Sequence, residues 1–166
     1  MSEHQPIELT QKGQQFLSFI LAGEEYATDI LKVQEIRDWT QATLIPNSPE
    51  YVEGVMNLRG QIIPVINLRK QFNLASDDKL KNRIVIVLNI NNGERCRLMG
   101  LLVDAFAETY DIATKNIRPA PSNISAIDDE FIIGLTTIDE KMLILLDVDE
   151  LLSSKELSTQ GIESVA

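Results

Sequence analysis

The sequence is poor in the residues from which most active sites are built. It has one cysteine, Cys96, which excludes an internal disulfide and every multi-cysteine metal site. It has one histidine, His4, in the polar stretch MSEHQPIELTQKGQQ. With no second histidine, Ser-His-Asp arrangements, histidine general bases, the usual zinc sites and phosphohistidine relays all fall away. No Gly-rich lysine loop and no GxGxxG occurs, so nucleotide binding has no motif to rest on. No run approaches the roughly 18 apolar residues of a membrane span, and the N-terminal stretch carries no apolar signal-peptide core. Base is scarce as well. Against 25 Asp and Glu stand 15 Lys and Arg, a formal charge of −10, which opposes binding to a phosphate backbone. These absences point to a cytoplasmic protein and leave an enzyme without support.

What is present is a core and a pattern. The apolar fraction of 44% is that of a globular domain. Period-2 apolar segments dominate, at FLSFIL (16–21), EYATDIL (25–31), GQIIPVINL (60–68), RIVIVLNI (83–90), RLMGLLVDAF (97–106) and KMLILLDV (141–148). Two hairpins are expected, one around Ala22-Gly23-Glu24 and one around Asn92-Gly93, a pair that tolerates positive φ. Helix is expected only as a turn or two in SPEYVEGVMN and in a final DVDELLSSKELS.

The strands fall into two sets. Gly54–Leu68 lies over Gly134–Val148 without gaps at a spacing of 80, with Asn67 over Asp147. At a spacing of 73, Ile30 falls on Val103, Val33 on Phe106, Glu35 on Glu108 and Pro46 on Pro119. The order of the matches implies an internal duplication, and hence two small all-β barrels of about five short strands each. The expected division is a leader at 1–14, a single domain at 15–152 and a C-terminal helix or tail at 153–166. Within that domain the halves run roughly 15–80 and 81–152, with swapped strands as an alternative. A joint between two barrels is a favoured place for a binding groove.

Within GVMNLRGQIIPVINLRKQF (54–72), Arg59 and Gly60 stand out from the apolar residues around them. The position of Arg59 in the second copy is Asp139, so the duplication keeps the barrel and changes this residue. An Arg59–Glu35 pair would order a guanidinium whose planar donors suit recognition. Gly60 suits a tight turn, and Pro64 belongs at an edge or a bulge. Asp104 with Glu108, or Asp147 with Asp149, could be paired acids, but turns and strand ends explain them as well.

EEYATDILKVQEIR, GVMNLRGQIIPVINLRKQF, MGLLVDAF, IRPAP and GLTTIDEKMLILLDVDELL, in this order, resemble the CheW-like coupling proteins of bacterial chemotaxis, from about Gln15 to Leu152. The resemblance implies an all-β fold of two intertwined SH3-like five-stranded barrels with few short helices, no catalytic activity and no cofactor. It implies an adaptor that joins the cytoplasmic tips of methyl-accepting chemoreceptors to the regulatory domain of the histidine kinase CheA, at receptor clusters on the inner face of the membrane. Receptor-facing residues would be Val33, Glu35, Arg59, Ile84 and Thr109. Gly54 and Arg118 would face the kinase or its ring. At Thr109 the family commonly has an apolar residue, and Ser122 and Asn123 depart from an acidic-aromatic pair of some relatives. A carboxylate-based β-barrel enzyme, and a coupling protein of the same family in another receptor–kinase pathway, stay open as alternatives.

Overall fold

The computed structural model describes residues 13–39, 51–74, 83–91 and 95–153. Ten strands are formed there: β1 (Gln14–Leu21), β2 (Glu24–Asp29), β3 (Val33–Asp38), β4 (Val52–Leu58), β5 (Gln61–Asn67), β6 (Ile84–Asn91), β7 (Cys96–Val103), β8 (Ala105–Ile112), β9 (Ile132–Ile138) and β10 (Lys141–Leu146). Two short helices follow β5 and β10: α1 (Leu68–Gln71) and α2 (Val148–Leu152). They are started by matched residues. The Asn67 side chain accepts from the N–H groups of Arg69 and Lys70, and the Asp147 side chain accepts from that of Glu150.

The strands make two five-stranded sheets, ordered β8-β1-β2-β10-β9 and β3-β6-β7-β5-β4. Exchanging each strand for its counterpart five places along converts one order into the other. The registers convert too. Val85↔Leu102 in β6–β7 has its counterpart in Phe16↔Asp29 of β1–β2, and Val65↔Gly100 in β5–β7 has its counterpart in Leu145↔Ala27. Even the shift between Val52 and Gly54 recurs, as Ile132↔Leu146 followed by Gly134↔Leu145. Yet neither sheet is an uninterrupted half of the sequence cut near residue 80. The first hairpin, β1–β2, joins β8, β9 and β10, and the hairpin β6–β7 joins β3, β4 and β5. The chain changes sheet at Ile30–Lys32, a single 3-10 turn capped by Asp29, and again at Asp104.

Three apolar clusters explain the near-continuous apolar runs. Val85, Val87, Ile63 and Val65 point into the interior of one sheet. Phe16, Ala27, Leu143 and Leu145 point into the other. The alternate residues, among them Ile86, Leu88, Ile66, Phe19, Tyr26 and Ile144, form a larger cluster shared by both sheets. A strand of this kind buries both faces and does not alternate apolar with polar.

The structure corrects several local expectations. The described part of SPEYVEGVMN is strand β4, not helical turns. EYATDIL ends as a strand at Asp29, and ILKVQEIR becomes one only at Val33. Pro64 is not on an edge, because β5 lies between β4 and β7. It sits opposite Val55, beside the Gly54 register shift and one residue before the first parallel partner, Val65↔Gly100. Asn92-Gly93, Pro46, His4 and the segment 154–166 lie outside the described residues.

Candidate functional site

Arg59 and Gly60 are the two central residues of the β4–β5 hairpin, closed by Leu58↔Gln61. Both have positive φ, 52° and 87°, as a two-residue turn that follows the strand twist requires. For Gly60 this is free, whereas for Arg59 the left-handed region costs about 1–2 kcal/mol. The turn is held by Asn57, whose Oδ1 accepts from the Gly60 N–H at 2.7 Å. Asp139 and Glu140 repeat the turn in the second copy, with φ of 52° and 68°. There the fold tolerates two strained side chains and carries no arginine.

From this turn Arg59 reaches β3. Its Nη2 donates to Glu35 Oε1 at 3.3 Å, and its Nη1 lies 3.1 Å from Oε2. The guanidinium side chain is 71% exposed and the carboxylate 24%. Since β3 and β4 are the two edges of their sheet, the pair closes the barrel at its open seam. Val33 on β3 and Ile84 on the interior strand β6 are half-buried against the cluster shared by the two sheets, on the face of their sheet opposite to Glu35, whose partner Val87 belongs to the private core. Trp39, just beyond β3, packs its side chain on the private core of this sheet, and its backbone N–H donates to the Arg83 carbonyl. Ile36 and Ile62 leave apolar surface exposed on β3 and β5.

The remaining residues expected to take part lie elsewhere. Thr109 is exposed on β8, an edge of the other sheet, opposite Leu17. Gly54 is buried in β4 at its register shift, with φ 149°, so a conformation unfavourable to other residues explains it without a partner. Arg118 is tied to the edge strand β9 through two 2.8 Å backbone hydrogen bonds with Leu135. Gly134 permits that approach, because a Cβ there would lie 2.6 Å from the Arg118 carbonyl oxygen. Gly54 and Arg118 thus sit on edges of different sheets.

The carboxylates considered as paired acids have other partners. Asp104 accepts from Arg69 Nε at 2.9 Å, from its Nη2 at 2.8 Å and from the Ala22 N–H at 2.8 Å. Burial alone would raise its pKa, but those bonds, with the charges of Arg69 and Arg83, outweigh burial and hold it below the usual carboxylate range. Glu53 is held low in the same way, burial being outweighed by the Asn67 amide and by Lys70. Asp147 caps α2, and Asp149 pairs with Lys32. Tyr26 is pushed up to about 12, chiefly by burial, and Tyr110 is raised by burial and by its contacts with Glu25 and Glu108. These groups stabilise strands and turns. Among the described residues, no group of three or more His, Cys, Asp or Glu side chains could hold a metal ion.

Sequence reasoning paired Arg59 with Glu35 but missed Asn57, whose signal is an Asn three residues before a turn Gly. It also missed the Arg69–Asp104 pair, for which 35 residues of separation leave no local signal.

The CheW-like domain family matches residues 15–156. The Klebsiella aerogenes chemotaxis protein CheW is 44% identical over 146 residues, spanning 88% of this chain and 86% of that protein. The Treponema pallidum chemotaxis protein CheW is 35% identical over 157 residues, 92% of this chain and 89% of the relative. Among solved structures, the scaffolding protein TtCheW from Thermoanaerobacter tengcongensis superposes with a TM-score of 0.75 at 35% identity, covering 87% of this chain and 90% of that one. No helix among the described residues is long and apolar enough to cross a membrane. The chain belongs to the CheW-like domain family and is a non-catalytic adaptor of chemotaxis signalling, built on two SH3-like barrels.

Proposed function

We propose that the chain couples methyl-accepting chemoreceptors to the histidine kinase CheA, in the cytoplasm at receptor clusters, with Arg59 and Glu35 at the centre of the receptor-binding surface. One observation carries this reading. A largely exposed guanidinium projects from a strained turn that Asn57 closes and is oriented by Glu35, in one copy of the duplication only. A surface ion pair of this exposure adds only about 0–1 kcal/mol to stability, so it supports a role in recognition better than one in folding. Val33 and Ile84, half-buried on the other face of the same sheet, would supply its apolar contacts. Thr109 would extend this surface onto the second sheet. The outer sheet edges that carry Arg118 and, buried at its register shift, Gly54 would serve contacts with the kinase or its ring.

An adaptor of this kind biases a partner's conformational equilibrium by holding two proteins at once. The test is kinase output with receptor signalling fragments on vesicles, the kinase, and this protein either wild type or Arg59→Ala. The expected result is stimulation that needs this protein and falls in the variant, while the variant keeps wild-type unfolding and kinase binding. Undiminished stimulation by Arg59→Ala would refute the assignment of this surface.

A further inference from the structure

The two places where the chain passes between sheets are each clamped by an ion pair to the short helix of one sheet, and the two clamps have opposite polarity. Where β7 passes to β8, the crossover carries the acid, Asp104, and α1 carries the base, Arg69, at 2.8 Å. Where β2 passes to β3, the crossover carries the base, Lys32, and α2 carries the acid, Asp149, at 2.5 Å. Arg69 and Asp149 are counterparts at the spacing of 80. Lys32 lies one residue beyond the counterpart of Asp104 at the spacing of 73. In both clamps the acid also accepts an N–H from the end of a first hairpin strand. Asp104 takes that of Ala22 and Asp149 that of Asn91, positions that the β1 and β6 registers make equivalent. The geometry is repeated and the charges are reversed.

This reversal discriminates between two topologies that the apolar pattern barely separates. Because the registers of the two sheets map onto one another, the hairpin β1–β2 fits the place of β6–β7, and the converse holds. In that unexchanged arrangement each half of the chain closes on itself. Lys32 would then stand beside Arg69, and Asp104 beside Asp149, a like-charge contact at each junction. The observed exchange has an attractive contact at each. We propose that the opposite polarity of the two clamps selects the exchanged pairing of hairpins, acting with the short crossovers, which hinder a strand from folding back within its own half.

The test uses disulfide reporters of sheet membership in a Cys96→Ser background. Gln15 lies opposite Asp111 in the observed fold. Its counterpart in β6 is Ile84, which lies opposite Asp38, so the unexchanged form would bring Gln15 to Asp38. The pair Gln15→Cys/Asp111→Cys therefore reports the exchanged form, and Gln15→Cys/Asp38→Cys reports the alternative. Each pair is oxidised after refolding, and only monomer is scored. With the natural clamps the first pair closes and the second stays open.

Reversing one clamp, by Arg69→Asp with Asp104→Arg, keeps the native contact attractive and makes both like-charge contacts of the alternative attractive as well. Closure of the second pair should rise by roughly tenfold. The more exposed clamp, reversed by Lys32→Asp with Asp149→Lys, gives a second test that disturbs less of the interior and should shift closure in the same direction. Reversing both clamps together restores the discrimination and should return closure of the second pair to the natural level. Equal closure in the natural, singly reversed and doubly reversed chains would overturn the proposal, as would a rise that persists in the doubly reversed chain.

Discussion

Asp104 joins the two sheets in one carboxylate, and its removal is the sharpest test of how the fold holds together. Its side chain is 9% exposed and that of Arg69 is 13% exposed, so little solvent screens the pair. Asp104→Asn keeps the shape and one acceptor oxygen but leaves a nearly buried guanidinium without its counter-charge. That loss costs about 2–4 kcal/mol, toward the low end for a buried pair because the amide oxygen still accepts. For a domain of this size the melting temperature should fall by roughly 5–12 °C. Lys32→Met, which removes the charge from the other clamp, should cost less than about 1 kcal/mol, since both side chains there are close to 30% exposed. Urea unfolding of the three proteins at pH 7 measures the contrast. The pH dependence has a definite sign. Asp104 has a folded-state pKa below its unfolded value, so its contribution is present above the unfolded value of about 3.9 and is lost as pH falls through the folded one. The gap between wild type and Asp104→Asn should therefore close below about pH 3.9. A cost for Asp104→Asn no larger than that for Lys32→Met, or a gap unchanged with pH, would refute the reasoning.

Two further outcomes follow from the matched hairpins. Glu140 holds φ 68° in a turn whose counterpart position is Gly60, so Glu140→Gly should stabilise by about 1 kcal/mol in urea unfolding. Gly60→Ala should cost a similar amount, and for backbone reasons alone, because nothing lies within 4 Å of the added methyl. Gly134→Ala would push a methyl to 2.6 Å from the Arg118 carbonyl oxygen. It should cost roughly 1–3 kcal/mol, with hydrogen exchange quickened at the amides of Arg118 and Leu135, which pair with each other across this bridge.

The duplication was legible because its matches are local and ungapped: Asn67 over Asp147 proves to be one helix cap over another. Strand β4 was misread because the register shift between Val52 and Gly54 breaks the period of two, leaving apolar residues at 52, 55 and 56, a helical spacing. Which hairpin joins which sheet was not legible in apolar pattern, since the two hairpins satisfy the same register. That information lies in crossover lengths and in charges up to 117 residues apart, Lys32 and Asp149, which a reading of neighbours does not connect. The candidate surface was legible in part. The contrast with Asp139 singled out Arg59, whereas the geometry of its contact with Glu35 and the support from Asn57 emerged with the turn.

The central claim is that this chain holds a receptor and a kinase together, and co-sedimentation tests it most directly. Vesicles bearing receptor signalling fragments would be pelleted with the kinase, in the presence and absence of this protein. The account predicts that the kinase pellets substantially more when this protein is present, that Arg59→Ala lowers the pelleted amounts of both proteins together, and that the variant still binds the kinase in solution. Kinase pelleting that is indifferent to this protein, with the protein folded and in excess, would contradict it.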